Sequence, residues 1–295
     1  MRHSPIAFRR TPLPVLVLSL LLPLALLSAC GGGTAATAPT ATRSATATAT
    51  PEPGTFYFTT DDNVTLSGKI VGTGTTAIVF SSMDGDPKID WQGLAPLLAS
   101  RGYVAFSYDY RGLGASQGHY DRSKIDHDLN AAIQAAQQRG ATKYILMGAS
   151  LGGLVTLKVA ATAHPTAVVA LSAPTGFGGL EVTNDELRAI TAPKFLGVAE
   201  KDGGFITSMK AVYDVTPEPK ELHVYQGNIH GSLLLEAPGV KDQSLPQLYA
   251  FLDKYAPAKL KEDAVAYLSM VVDKYPQSKY KDDAEKALKE IKAGQ

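Results

Sequence analysis

Residues 143–153 read KYILMGASLGG. The first half, KYILMG, is an apolar run of strand length, and the residues after Ser150 continue as LGGLVTLKVAATA, an apolar stretch of helix length. Between them stands Gly148-Ala149-Ser150-Leu151-Gly152, a GxSxG pattern in a strand–turn–helix setting. The small residues on either side of the serine have a physical use. So tight a turn leaves no room for bulk, and it strains the serine so that its hydroxyl projects from the C-terminal edge of a sheet. The helix that follows aims its unpaired N-terminal N–H groups at the same place, which favours negative charge there.

Working outward from this turn, short β-rich runs alternate with helical ones. The strands are predicted at 55–60, 64–71, 77–82, 103–109, 143–148, 167–172, 194–199 and 220–225. The first two are separated by Asp61-Asp62-Asn63 and read as a hairpin. Several later strands are apolar almost without alternation, as strands covered on both faces are. Helices are predicted at 90–100, 123–138, 151–163, 183–190, 206–212 and 244–255. The alternation predicts an α/β fold, a mainly parallel sheet of about eight strands with helices on both faces. A nucleotide-binding alternative lacks its signatures: no GxGxxG opens the first helix, and no GxxxxGK[ST] occurs.

Two partners for Ser150 follow it in the chain. Asp202 ends the stretch KFLGVAEKD, and His230 lies in the loop QGNIHGS after the strand KELHVY. Each of the three residues falls in a loop after a predicted strand, in the order Ser, Asp, His. In these roles Ser150 attacks a carbonyl, His230 takes and returns its proton, and Asp202 orients the ring and stabilises its charged form. The other histidines fit less well: His119 and His127 precede the serine, His164 lies near a helix end, and His223 sits inside a strand. No HExxH motif or ligand cluster indicates a metal, and no cofactor is expected.

Further segments resemble the α/β-hydrolase family. DWQGLAPLLASRGYVAFSYDYRGLGASQG (90–118) is similar to the family's run from the first crossover helix to the loop after the next strand. Within it Arg111-Gly112-Leu113-Gly114-Ala115-Ser116 resembles the RGxGxS segment of the serine-aminopeptidase and acyl-esterase branch. AEKDG (199–203) and GNIHG (227–231) resemble the acid and histidine loops. The resemblance spans about residues 55–255 and implies a serine hydrolase, with a carboxylic ester as substrate and a peptide or other amide as the alternative. A non-catalytic binding or scaffold protein on the same fold is the reading from outside enzymology.

The chain departs from the family at one loop. Where the family usually has His-Gly, it has Ser81-Ser82-Met83-Asp84-Gly85. By position, the backbone N–H groups of Met83 and Leu151 form the oxyanion hole, and a backbone donor survives a change of side chain. Asp84 and Asp86 are expected to place negative charge at the mouth and to disfavour anionic substrates. Only about twenty residues separate Ser172 from Pro193, with a Gly-rich turn (175–179) and one short helix, which suits an open cleft and a small or medium ester. Phe177, Phe205 and Leu233 are the candidate pocket residues.

The flanks have other jobs. The first ten residues carry Arg2, Arg9 and Arg10, and residues 11–29 are almost wholly apolar, which reads as a signal peptide. Leu27-Ser28-Ala29-Cys30 resembles the lipobox of bacterial lipoproteins, which implies a chain cut before Cys30, acylated on its thiol and anchored to a membrane outside the cytoplasm. This is the sole cysteine, so no intrachain disulfide forms. The 28 basic and 28 acidic residues balance, which argues against nucleic-acid binding by a general basic surface. Because the signal contains three arginines and no acid, the exported chain is net acidic. Residues 30–53, rich in Thr and Ala, hold no apolar side chain beyond alanine after Cys30 and form a tether with a reach of about 25–30 Å. The hydrolase-like body is placed at 54–256 and a helical hairpin at 257–295. That tail arises from a repeat: FLDKYAPAKLKEDAVAYL (251–268) aligns with VVDKYPQSKYKDDAEKAL (271–288). It is read as packed on the body, the alternative being a docking surface for an envelope protein.

Overall fold

A computed structural model describes residues 54–85, 91–258, 268–270, 272–274, 276–277 and 281–293. The signal, Cys30, the tether, Asp86 and half of the first unit of the tail repeat lie outside the described residues.

The strands are β1 (Thr55–Thr59), β2 (Thr65–Val71), β3 (Thr76–Ser81), β4 (Val104–Tyr108), β5 (Lys143–Ala149), β6 (Ala167–Leu171), β7 (Gly176–Phe177), β8 (Leu180–Glu181), β9 (Lys194–Ala199) and β10 (Lys220–Tyr225). Eight of them make one sheet in the order β1-β2-β4-β3-β5-β6-β9-β10. The hairpin β1–β2 and the β2–β4 pair are antiparallel, and every pair from β4 to β10 is parallel. The apolar, non-alternating strands stand in the middle: β3, β6 and β9 are buried along their whole length.

Both faces are covered. Helices α2 (Ile125–Gln138), α3 (Leu151–Ala163) and α5 (Phe205–Val215) pack on one face, while α1 (Leu94–Ser100) and α6 (Lys241–Tyr255) pack on the other. Helix α3 is apolar on every side and nearly all buried, as a helix at the centre of a layer must be. Helix α5 runs beyond the predicted 206–212 at both ends, where Phe205, Tyr213 and Val215 also pack against the core. Between β6 and β9 the expected Gly-rich turn is a small antiparallel hairpin, β7–β8, followed by α4 (Asn184–Ala189) with a Thr183–Glu186 capping box. In the tail, Lys281–Ala293 is helical.

The Arg111–Ser116 segment is a loop-shaping device. The buried Arg111 guanidinium bridges Asp128 of α2 (Nε to Oδ1, 2.8 Å) and Asp62 of the β1–β2 turn (Nη1 to Oδ2, 2.7 Å), and its backbone N–H donates to Asp128 Oδ2. Those hydrogen bonds to Arg111 hold the Asp62 carboxyl well below the usual carboxylate range. Ser116 Oγ donates to the Asp109 carbonyl and accepts from the Ser67 N–H. These contacts lock the loop after β4 to its neighbours, and a buried pair of this kind costs about 3–5 kcal/mol when one partner is removed.

Candidate active site

In a parallel sheet all strand C-termini meet at one edge, and ligands gather there. The loops after β3, β5, β6, β9 and β10 thus bring Met83, Ser150, Ser172, Asp202 and His230 to a common edge.

Ser150 stands between β5 and α3 with φ 52° and ψ −119°, a conformation costing about 1–3 kcal/mol for a residue with a Cβ. Surrounding bonds fix it: its N–H donates to the Leu171 carbonyl (2.8 Å), and its carbonyl accepts from Leu154 N–H (3.0 Å). Gly148 and Gly152 are small because the chain crosses itself. A Cβ on Gly148 would collide with the Gly152 carbonyl and come to 2.5 Å from Thr156 Oγ1. A Cβ on Gly152 would collide with the Ser81 carbonyl and come to 2.5 Å from that of Ser82. The end of β3 therefore lies directly against the first turn of α3. Leu151 is the first residue of that helix, so its N–H has no acceptor within the helix.

Met83 follows two pinned residues. Tyr110 Oη donates to the Ser82 carbonyl (3.0 Å), and Tyr108 Oη and Ser81 Oγ share a 3.0 Å hydrogen bond. All four of these residues are buried, and burial pushes both tyrosine hydroxyls far above their ordinary titration range.

Asp202 lies in the turn after β9, only 6% exposed, and His230 Nδ1 sits 2.9 Å and 3.1 Å from its two carboxylate oxygens. A carboxylate only accepts, so the ring proton resides on Nδ1, and Nε2 is left as the basic nitrogen. No hydrogen bond joins Ser150 Oγ to His230 among the described residues; such catalytic bonds are often long without substrate and tighten in the complex. Phe205, the first residue of α5, packs against the imidazole with ring centroids 4.4 Å apart and planes tilted by 50°.

Ser172 was not legible as a site residue. It is fully buried with φ 48°, its N–H donates to the Gly197 carbonyl, and its Oγ accepts from Gly231 N–H (3.0 Å), fastening the histidine loop to the end of β6. A polar residue closing the apolar run AVVAL was its one signal in the sequence.

The model of the alpha/beta hydrolase family matches residues 72–293, three quarters of the chain. The chain belongs to the alpha/beta hydrolase family. The fold of this hydrolase is similar to that of the Pyrococcus furiosus esterase Pf2001 (16% identity, TM-score 0.59, 68% of this chain and 90% of that one). It is likewise similar to the Penicillium alpha/beta hydrolase GrgF (20%, 0.58, 68% and 98%) and the Rhodococcus esterase RhEst1 (18%, 0.57, 68% and 99%). At these identities the likeness is one of fold. No curated protein matches the sequence.

One feature of this hydrolase differs from the sequence expectations. Asp84 does not present a free negative charge: Arg122 Nε and Nη2 bind its two oxygens at 2.9 Å each, and Tyr120 Oη donates to Oδ1. Burial alone would raise its carboxyl, but the Arg122 and Tyr120 bonds prevail and lower it. The case against anionic substrates therefore loses Asp84. In addition, a cleft of about 400 Å³ opens beside this loop, lined by Asp84, Gly85, Leu113, Gly114, Tyr120 and Arg122. Its lining residues include neither Ser150, Asp202 and His230 nor Phe177, Phe205 and Leu233. Phe177 is half exposed on the β7–β8 hairpin under the Arg122 guanidinium, and Leu233 is half exposed in the 3₁₀ turn Gly231–Leu235. The elements carrying these side chains were legible; their directions depend on how the loops stack.

Proposed function

We propose that this hydrolase is a serine esterase that cleaves small or medium carboxylic esters through an acyl-enzyme on Ser150. The observation that carries the reading is the His230 ring, held by the buried Asp202 with Nε2 as its basic nitrogen, in the loop fastened beside the Ser150 turn. The esterases among the similar structures support the same class of reaction.

In this mechanism Ser150 Oγ attacks the ester carbonyl as His230 Nε2 takes its proton. The carbonyl oxygen becomes an oxyanion held by the N–H groups of Leu151 and Met83, with the α3 N-terminus adding a favourable field. His230 then gives its proton to the departing alcohol, leaving an acyl group on Oγ. A water molecule, deprotonated by His230, attacks the acyl carbon; Oγ recovers its proton and the carboxylic acid leaves. Asp202 keeps the ring in the productive tautomer throughout.

A fluorophosphonate probe tests the nucleophile: the labelled peptide of folded protein is expected to contain Ser150, and folded protein that takes no label would sink the proposal. A matched panel of acyl esters and aminoacyl anilides tests the substrate class, with ester kcat/KM expected to be the larger at every acyl size. We further propose that the enzyme works outside the cytoplasm, tethered to a membrane through acylated Cys30. Incorporation of an alkyne-bearing palmitate in cells should disappear in Cys30→Ser, and equal incorporation in both would refute the anchor.

A further inference from the structure

Met83, the second donor of the proposed oxyanion hole, is bracketed. On its N-terminal side, Ser81 and Ser82 are held by Tyr108, Tyr110 and the close approach of Gly152. On its C-terminal side stands Asp84, and beyond it a Cβ on Gly85 would meet nothing within 4 Å. Among the described residues Asp84 is thus one point at which this side of the loop is fastened, and Arg122 together with Tyr120 fastens it there.

Arg122 is itself held on several sides. It opens the 3₁₀ turn Arg122–Lys124, whose cap Asp121 accepts from Ser123 N–H. Its guanidinium lies 4.7 Å from the Tyr120 ring centroid and 5.7 Å from that of Phe177. The backbone of Gly178 presses on its stem, where a Cβ would come to 2.5 Å from Arg122 Cδ. One side chain therefore ties the oxyanion loop to the turn before α2 and to the β7–β8 hairpin.

We propose that the Arg122–Asp84 pair is a latch that positions the Met83 N–H for the developing oxyanion, so that Arg122 and Asp84 are positioning residues for the ester hydrolysis inferred above. The proposal rests on that reading and deepens it. A fork–fork arginine–carboxylate pair fixes direction as well as distance. An oxyanion donor acts only if it already points at the place where charge appears, and misplacement by about 1 Å costs a large share of its effect. The same pair is partly exposed, at 39% and 30%, and a pair of this kind adds little to global stability. The latch therefore predicts a loss in rate with almost none in stability.

The test is a double-mutant cycle of Asp84→Ala and Arg122→Ala in the full chain. Each single variant is expected to lower kcat about 10-fold, with KM within about twofold and Tm within about 2 °C of the parent. The double variant should be no worse than either single one, because both break the same device. Exchange of backbone amides in residues 81–85 for deuterium should quicken in all three variants, a readout that needs no turnover. An unchanged kcat in both single variants, losses that add in the double variant, or unchanged exchange would overturn the latch. These outcomes are separable from failure of the esterase reading: an enzyme that labels at Ser150 but ignores Arg122→Ala loses only the latch. A protein that neither labels nor turns over loses the esterase reading, and the exchange measurement still decides whether the pair holds the loop.

Discussion

Ser150→Ala is expected to lower kcat for a good ester substrate by about a millionfold and to abolish fluorophosphonate labelling. The substitution removes only Oγ. Its Cβ remains, so alanine carries the same strain at φ 52° that serine carries. The bonds that hold the turn, Ser150 N–H to Leu171 carbonyl and Leu154 N–H to Ser150 carbonyl, belong to the backbone and survive. Tm should therefore stay within about 2 °C, since no mechanism for a large loss of stability is engaged. Binding of the carbonyl by the Leu151 and Met83 N–H groups should persist, leaving a residual rate well above that of water. Purified variant and parent, compared for Tm and for kcat on one ester, decide the matter. Activity within tenfold of the parent would assign the chemistry to another group.

Asp202→Asn should cost about 10⁴-fold in kcat with the fold intact. The reason is the direction of one hydrogen bond. His230 Nδ1 faces both oxygens of Asp202 at 2.9 and 3.1 Å, so the carboxylate demands a proton on Nδ1. An asparagine amide offers its own N–H to Nδ1, which favours the opposite tautomer and places the ring proton on Nε2, where the basic lone pair is needed. It also gives up the negative charge that stabilises the imidazolium formed as Ser150 loses its proton. The turn itself is kept by backbone bonds, Asp202 N–H to Ala199 carbonyl and Phe205 N–H to Asp202 carbonyl, which the isosteric change does not touch. Steady-state kinetics with circular dichroism as the fold control checks this. A loss smaller than tenfold would show that His230 is not working through Asp202.

These expectations concern residues that the chain alone singled out as candidates. All eight main strands fall within one residue of their predicted bounds, because each is a short β-rich run set off by turn residues or by a helical stretch. Ser150, Asp202 and His230 could be picked out as candidates because each lies in a loop after such a run, and in a parallel sheet that placement alone sends them to a common edge. The pocket candidates were different. Phe205, Phe177 and Leu233 sit on elements that were located, yet Phe205 turned out to lie on the His230 ring and Phe177 under Arg122. Spacing along a chain says which residues share an element, but it does not say which neighbouring loop an aromatic ring will meet.

The same division runs through the whole molecule. Periodicity and turn chemistry are local, so the residue order was enough to determine the layered α/β fold, the glycine-flanked serine turn and the succession of acid and histidine loops. Partners distant in the chain are another matter. Arg111 meets Asp62 and Asp128, Ser172 meets Gly231, and Arg122 meets Asp84 from 38 positions further along the chain. An arginine or a buried serine carries no mark of which carboxylate or N–H it will satisfy. That choice was made only when the sheet order brought the loop ends together, because a hydrogen bond a few ångströms long is selected by tertiary proximity and by the cost of leaving a buried polar group unpaired.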